Sequence, residues 1–168
     1  GLNLKRKGEN RFEHFISQRG VANSISHNYV SGIFIDNDNH LWAYTWGGGL
    51  NELNLNQKGN RSFKRYNSSN TEELKSDYIS SACEDRVNRG IWFGSPEGVI
   101  FYKKQTGEFM MIQFNIPDNH FEAIRALYID IESKLWVGTT NGLFIIDLFS
   151  FALSHTNFDY KYIRNLSN

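Results

Sequence analysis

Residues 129–143 read IDIESKLWVGTTNGL, and this stretch decides the fold because two earlier stretches repeat its pattern. The repeats are residues 35–50 (IDNDNHLWAYTWGGGL) and residues 84–99 (EDRVNRGIWFGSPEGV). Each copy contains an aspartate at a strand end, a polar turn, an apolar residue followed by tryptophan, and a glycine turn. Intervals of 50 and 44 residues, typical of one four-stranded propeller blade, separate the three tryptophans, Trp42, Trp92 and Trp136.

Short β-branched and aromatic runs surround these copies and show no helical period. The innermost strands are predicted at residues 29–35, 78–84 and 123–129. Outer strands are predicted at residues 62–66 and 109–112, while residues 151–153 match an outer strand poorly. The pattern predicts an all-β fold, a β-propeller segment of about three four-stranded blades with partial blades at both ends.

The two ends of the sequence match the interior of a blade. Residues 1–3 match the third strand at 49–51, with an outer strand expected at 11–15, and residues 162–166 match the innermost strand at 78–82. Residues 1–168 are therefore predicted to be one incomplete β-propeller that needs its missing blades to cover its edges. Its expected units are the end of a preceding blade (1–27), three blades (28–77, 78–122 and 123–161) and the start of a following blade (162–168).

The composition argues against nucleic-acid and membrane partners and favours a structural role for the cysteine. Eighteen basic and eighteen acidic side chains cancel, so there is no electrostatic reason to expect nucleic acid or an anionic membrane as a partner. The single Cys83 lies in an apolar strand, which favours the role of a small buried hydrophobic residue. No apolar stretch approaches the roughly 20 residues of a membrane-spanning helix.

Leu135-Trp136-Val137-Gly138-Thr139, followed by Asn141-Gly142-Leu143, resembles the two-component regulator propeller repeat. Residues 91–95 with Gly98 match the repeat next best, whereas residues 41–45 depart from it because Tyr44 stands where the pattern has glycine. The resemblance implies a periplasmic ligand sensor in a membrane-anchored bacterial receptor. Many such receptors are hybrid histidine kinases that detect oligosaccharides, and the resemblance implies that any kinase lies outside these residues.

No catalytic residue or metal ligand is predicted. The aspartates Asp36, Asp85 and Asp130 occupy one equivalent position before a turn, where a carboxylate is expected to accept backbone N–H bonds. The five histidines show no metal-ligand spacing, and the sequence contains no nucleophile elbow or phosphate loop. The repeated tryptophans are expected to pack in the core or between blades, and no cofactor is expected.

Trp46 is the first candidate for ligand binding. It has no counterpart in the other two copies, and it lies beside Tyr44 in a glycine turn that is one residue longer. An unrepeated aromatic side chain in such a turn is suited to stacking on a sugar face. The alternative for Trp46 is packing against the next blade.

Two arginines form the second candidate site. Arg125 and Arg164 occupy the innermost-strand position that Ser31 and Ser80 hold in the other copies. Side chains at this position are expected to point toward the central channel, where two arginines can hold a carboxylate or sulfate. The alternative is a salt bridge to Glu84 or Glu122.

Three functions follow from these observations. The first is a non-catalytic, ligand-sensing segment of a receptor, with an oligosaccharide, the remaining blades, a downstream domain and a second copy in a homodimer as partners. The second is a scaffold propeller for protein–protein interaction. The third, least supported by the residues, is a propeller lyase or hydrolase, because fold alone does not determine function.

Overall fold

The structure, a computed structural model, describes residues 1–5, 7, 8, 10, 12–57, 59, 61–112, 123–153 and 159–164. The secondary structure of these residues is β1 (Leu2–Lys5), β2 (Phe12–Phe15), β3 (Val30–Ile35), β4 (His40–Thr45), β5 (Leu50–Asn54), β6 (Lys64–Tyr66), β7 (Ser81–Asp85), β8 (Gly90–Ser95), β9 (Gly98–Lys103), β10 (Glu108–Ile112), β11 (Ile124–Ile129), β12 (Lys134–Thr139), β13 (Gly142–Asp147), α1 (Leu148–Leu153) and β14 (Tyr160–Arg164).

The strands form a two-stranded sheet, β1-β2, and three four-stranded antiparallel sheets. Each larger sheet follows chain order: β3 to β6 form the first blade, β7 to β10 the second and β11 to β14 the third. Consecutive hairpins of this kind are the architecture of propeller blades. The prediction of an all-β propeller segment is therefore confirmed, with one short helix added.

The tryptophan strands explain how the blades stack. Side chains alternate across a strand, so Leu41 and its neighbour Trp42 pack in different clusters on opposite faces of the first blade. Trp42 shares its cluster with Ile91 of the second blade. Trp92, on the opposite face from Ile91, packs with Leu135 of the third blade. Each of these blades therefore buries its tryptophan face against the blade that follows.

Ring contacts fill these interfaces. The centroid of Trp42 lies 5.5 Å from that of Phe93, and that of Trp92 lies 4.8 Å from that of Phe151. Both tryptophans are almost completely buried, at 1% and 0% exposed, which confirms the predicted inter-blade packing. Trp136 is only half-buried. Burying a large apolar side chain contributes about 1.5–3 kcal/mol, so the two inner tryptophans are major elements of stability.

The C-terminal part of the third blade differs from the sequence prediction. Residues 148–153 form α1, and one carboxylate oxygen of Asp147 accepts the backbone N–H groups of Phe149 and Ser150, both at 2.9 Å. Strand β14 then pairs with β13, with Gly142 opposite Arg164. The expectation that a following blade begins at residue 162 is corrected, because residues 160–164 supply the outer strand that the helical residues 151–153 do not. The other unit boundaries stay predictions.

Candidate ligand-binding cleft

The first repeated aspartate organises the turn after β3. One carboxylate oxygen of Asp36 accepts the backbone N–H groups of Asp38 and His40, at 3.0 and 2.9 Å. The other oxygen accepts the indole N–H of Trp42 at 3.0 Å. Both oxygens of this carboxylate are therefore used within its own blade.

The equivalent aspartates in the other two blades also bond both to the turn and to the tryptophan. Asp85 accepts the indole N–H of Trp92 at 2.9 Å, and Asp130 accepts that of Trp136 at 2.6 Å. Through its other oxygen, Asp85 accepts the backbone N–H of Asn88, and Asp130 accepts those of Glu132 and Lys134. The predicted turn role of the three aspartates is confirmed, and the bond to tryptophan adds a contact that the sequence did not predict.

A cleft of about 490 Å³ lies where the first, second and third blades and the N-terminal residue meet. It is lined by Gly1, Asn28, Tyr29, Val30, Ser31, Trp46, Ser80 and Arg125. The lining includes two of the four predicted site residues, Trp46 and Arg125. Within the described residues, no carboxylate belongs to this lining.

The turn that carries Trp46 is fixed to the rest of the molecule by backbone hydrogen bonds. The Trp46 N–H donates to the carbonyl of Tyr29 at 3.0 Å, and the N–H groups of Gly47 and Gly49 donate to the carbonyl of Asp77 at 3.0 and 2.9 Å. The indole contacts the ring of Tyr78 edge to face, with centroids 5.1 Å apart. Trp46 remains 42% exposed, so it both packs toward the second blade and presents surface to solvent.

The glycine sequence of this turn has a steric cause. A Cβ at Gly48 would lie 2.7 Å from both the Cβ of His27 and the Oγ of Ser26. Gly49 has φ +72°, a conformation that favours glycine. The turn is therefore closely packed at Gly48 and Gly49, which constrains the backbone that carries Trp46.

A β-bulge places the serine of the first blade and the arginine of the third. The register of the β3–β4 pair shifts between Val30 and Gly32, which leaves Ser31 as the extra residue. The register of the β11–β12 pair shifts between Ile124 and Ala126, which leaves Arg125 as the extra residue. Bulges re-aim side chains next to functional sites, and both of these residues line the cleft.

The two serines tie neighbouring blades together. The hydroxyl of Ser31 donates to the carbonyl of Ile79 at 2.7 Å, and the hydroxyl of Ser80 donates to the carbonyl of Ile124 at 2.7 Å. These bonds link each innermost strand to the residues that enter the next one. The serines are therefore structural residues at the floor of the cleft.

Arg125 has a different role from the serines. Its side chain is exposed, and within the described residues it forms no hydrogen bond or ion pair. Glu84, one alternative partner predicted for it, instead binds Lys104 and the backbone N–H of Asn37. The other alternative, Glu122, lies outside the described residues.

The two remaining predicted site residues do not join the cleft. Tyr44 lies opposite Gly32 in the β3–β4 pair, packs against the cluster between the first and second blades, and is absent from the described lining. Burial, and to a lesser extent the nearby Cys83, raises the pKa of the Tyr44 hydroxyl. The backbone of Arg164 lies in β14, and its side chain is outside the described part of the structure.

An ion cluster joins the first and second blades on another side. The Lys104 ammonium lies 2.9 Å from a carboxylate oxygen of Glu84 and 3.4 Å from one of Asp36, and it also pairs with Asp38. Only 15% of the Lys104 side chain is exposed. Burial lowers the pKa of Lys104, but bonds to Asp38 and Glu84 and the charge of Asp36 outweigh it, so the pKa is raised overall.

Sequence reasoning did not identify this ion cluster or the roles of Asn28 and Tyr29. A signal for the cluster exists: Lys104 follows β9 at the position that Leu55 holds after β5 and Leu148 after β13. A lysine in a column of leucines indicates a polar contact at one interface. Asn28 and Tyr29 carry no such signal, because they line the cleft from the segment that precedes β3 and belong to no repeated position.

Two absences apply to the described residues. Among them, no three His, Cys, Asp or Glu side chains are grouped in a way that would hold a metal ion. Within the same residues, no helix has the length and apolar character needed to cross a membrane.

Comparison with known sequences gives one informative relative. No family model matches the chain. "Histidine kinase P4" from Formosa agariphila is 24% identical over 198 aligned positions, which cover 88% of this chain and 14% of the relative. The chain thus spans about one seventh of the length of this curated relative.

Comparison with solved structures supports the fold. Two crystal structures of the extracellular domain of BT4673 from B. thetaiotaomicron match with TM-scores of 0.69 and 0.70, at 20% identity. Each match covers 94% of this chain and 21% of the other. That domain is described as part of a hybrid two component system in one case and of a one component system in the other.

Proposed function

We propose that this chain is a non-catalytic, ligand-sensing segment of the extracellular, periplasmic propeller of a two-component receptor, and that it helps to bind an oligosaccharide. The observation that carries the proposal is the cleft at the meeting of three blades, where Trp46 and Tyr29 are exposed beside Arg125, with which no described residue pairs. Two similarities support the receptor context: the extracellular domain of BT4673 has a similar fold, and the relative of similar sequence is a histidine kinase.

The aromatic side chains have the properties needed for sugar recognition. Trp46 is 42% exposed and Tyr29 is 63% exposed, yet backbone bonds hold the Trp46 turn in one position. A fixed aromatic ring binds a sugar face with little loss of conformational entropy. Because the cleft contacts residues from all three blades, an occupant would affect how the blades stack against one another.

The proposal places the membrane anchor and the kinase outside these residues. The remaining blades, a downstream domain of the same protein and a second receptor copy are its proposed partners. A reading frame that continues into a membrane span and a histidine kinase would support this organisation. A frame that encodes more blades and no kinase would instead favour the scaffold function.

The test is binding of oligosaccharides by the intact protein and its variants. Trp46→Ala should weaken binding at least tenfold while thermal unfolding stays cooperative. Phe149→Ala is the matched control, because Phe149 is also an exposed aromatic side chain but lies in α1, outside the cleft lining. Equal affinities of wild type and Trp46→Ala would remove the cleft from the binding site.

A further inference from the structure

The charged residues that line this cleft differ from those of two other clefts. Arg125 is the one charged side chain in the described lining, and no described residue pairs with it. The cleft beside Trp136 is lined by four acidic and two basic residues, and the cleft beside Lys104 by three acidic and three basic residues. In a chain whose formal net charge is zero, the described part of this lining, with one cation that pairs with no described residue and with no carboxylate, is positive.

The free polar groups of the cleft are mainly hydrogen-bond donors. The side-chain oxygen of Asn28 already accepts the backbone N–H of Ser17 at 2.8 Å, so its NH₂ group remains available. The indole N–H of Trp46 and the hydroxyl of Tyr29 bind no described residue. A ligand rich in acceptor oxygens would complement these groups.

Arg125 is not required at its position by the fold. Ser31 and Ser80 hold the equivalent positions and donate to carbonyls of the following segments. In the third blade this position is Arg125, whose side chain is long and cationic. It lies at a β-bulge and lines the cleft. A guanidinium offers paired N–H groups that match the oxygens of a carboxylate or sulfate.

We infer that the cleft binds an anionic sugar, in which a carboxylate or sulfate group accepts hydrogen bonds from Arg125 while Trp46 and Tyr29 contact the ring faces. This inference rests on the proposed function and specifies its ligand class. The donors of Asn28 and Trp46 bind further oxygens of the same ligand. A neutral sugar of the same linkage would offer Arg125 no anionic group.

The experiment uses an array of neutral, carboxylated and sulfated oligosaccharides with the intact wild-type protein and two variants. Arg125→Ser installs the residue that the other blades carry, so the variant is expected to fold. Arg86→Ser is the control, because it removes an exposed cation outside this lining. Affinities for the best anionic probe and its neutral analogue are then measured at two salt concentrations.

We expect anionic probes to bind wild type and Arg86→Ser, with affinity that falls as salt rises, and Arg125→Ser to lose tenfold or more. Equal binding of neutral and anionic probes, or unchanged anionic affinity in Arg125→Ser, would overturn the inference and leave the proposed function standing. Binding of no oligosaccharide by wild type would overturn the proposed function itself, and the inference with it.

Discussion

The indole N–H of Trp92 donates a 2.9 Å hydrogen bond to Asp85, and both residues are completely buried. The same carboxylate accepts the backbone N–H of Asn88 in the turn after β7. One buried charge therefore links a turn of the second blade to the ring that fills the interface with the third. The acidic residue and the tryptophan of the repeat form one structural unit.

Trp92→Phe should lower the free energy of unfolding by about 2–4 kcal/mol, because it removes a donor to the buried Asp85 and leaves part of the ring volume empty. The measurement is denaturant unfolding of the intact protein. Trp136→Phe is the matched control and should cost less, since Trp136 and Asp130 are only partly buried. Equal losses of unfolding free energy in the two variants would show that burial does not strengthen the bond between tryptophan and aspartate.

The repeat pattern predicted the fold because each feature of it is local. The turn aspartates and the alternation along the tryptophan strands are both set by neighbours in the sequence. The cleft could be predicted only in part. Trp46 stands out as unrepeated and Arg125 as a departure from serine. Asn28 lies before β3, outside the repeated stretches, so the repeat pattern does not predict that it lines the cleft.

Tyr44 and β14 show where local reasoning fails. Tyr44 departs from the repeat as Trp46 does, yet the second blade covers the face of β4 on which Tyr44 lies, so Tyr44 packs in the interface between the first and second blades. Residues 162–166 match the sequence of an innermost strand, but residues 160–164 pair with β13, and Asp147 caps the helix that precedes them. Both outcomes depend on tertiary contacts.

Lys104→Leu should lower the free energy of unfolding by about 2–4 kcal/mol, because it leaves Asp36 and Glu84 without their shared cation. Lys134→Leu is the control, since Lys134 pairs with the exposed Glu132 and its loss should have little effect. Unfolding in urea measures both. A more stable Lys104→Leu protein would contradict this prediction.

A double variant tests the cause of that loss. Lys104→Leu combined with Glu84→Ile copies the residues that the third blade carries at the equivalent positions, Leu148 and Ile129. Apolar replacement of a buried ion pair is often neutral, so the double variant should recover part of the stability that the single variant loses. A double variant less stable than Lys104→Leu would show that Glu84 stabilises the interface without Lys104.

Gly94→Ala should lower the free energy of unfolding by about 1–3 kcal/mol through overpacking. A Cβ there would lie 2.5 Å from the Cγ2 of Ile124 and 2.6 Å from the Oγ of Ser81. Gly138→Ala is the control at the equivalent position of the third blade, where the nearest atom is the Cβ of Ala126 at 3.6 Å. Thermal unfolding of both variants should give a clear drop in Tm for Gly94→Ala alone.

Cys83 should resist thiol reagents in the folded protein at neutral pH. Burial, together with the negative charge of Asp85, raises the pKa of its thiol to about 12, so the reactive thiolate is scarce. Because the sequence contains one cysteine, the rate of modification reports this site alone. Slow labelling of native protein and rapid labelling in guanidinium are expected, and equally fast labelling in both would show that the interface opens readily.

Acid should destabilise the interface between the first and second blades through Asp36. Burial raises the pKa of this carboxyl, but the backbone N–H of His40, the indole N–H of Trp42 and the Lys104 ammonium lower it, so the folded pKa lies below its usual value. A depressed pKa contributes stability above the unfolded value of about 4, and that contribution is lost as pH falls through the folded pKa.

Denaturant unfolding between pH 7 and pH 2 measures this contribution in wild type and in Asp36→Asn. Wild type should exceed Asp36→Asn most at pH 5–7, and the difference should shrink as the pH falls below about 4, because the carboxyl must then be protonated. Glu72→Gln removes an exposed carboxylate and should follow wild type throughout. A difference that stays constant with pH would mean that the packing of Asp36, and not its charge, stabilises the interface.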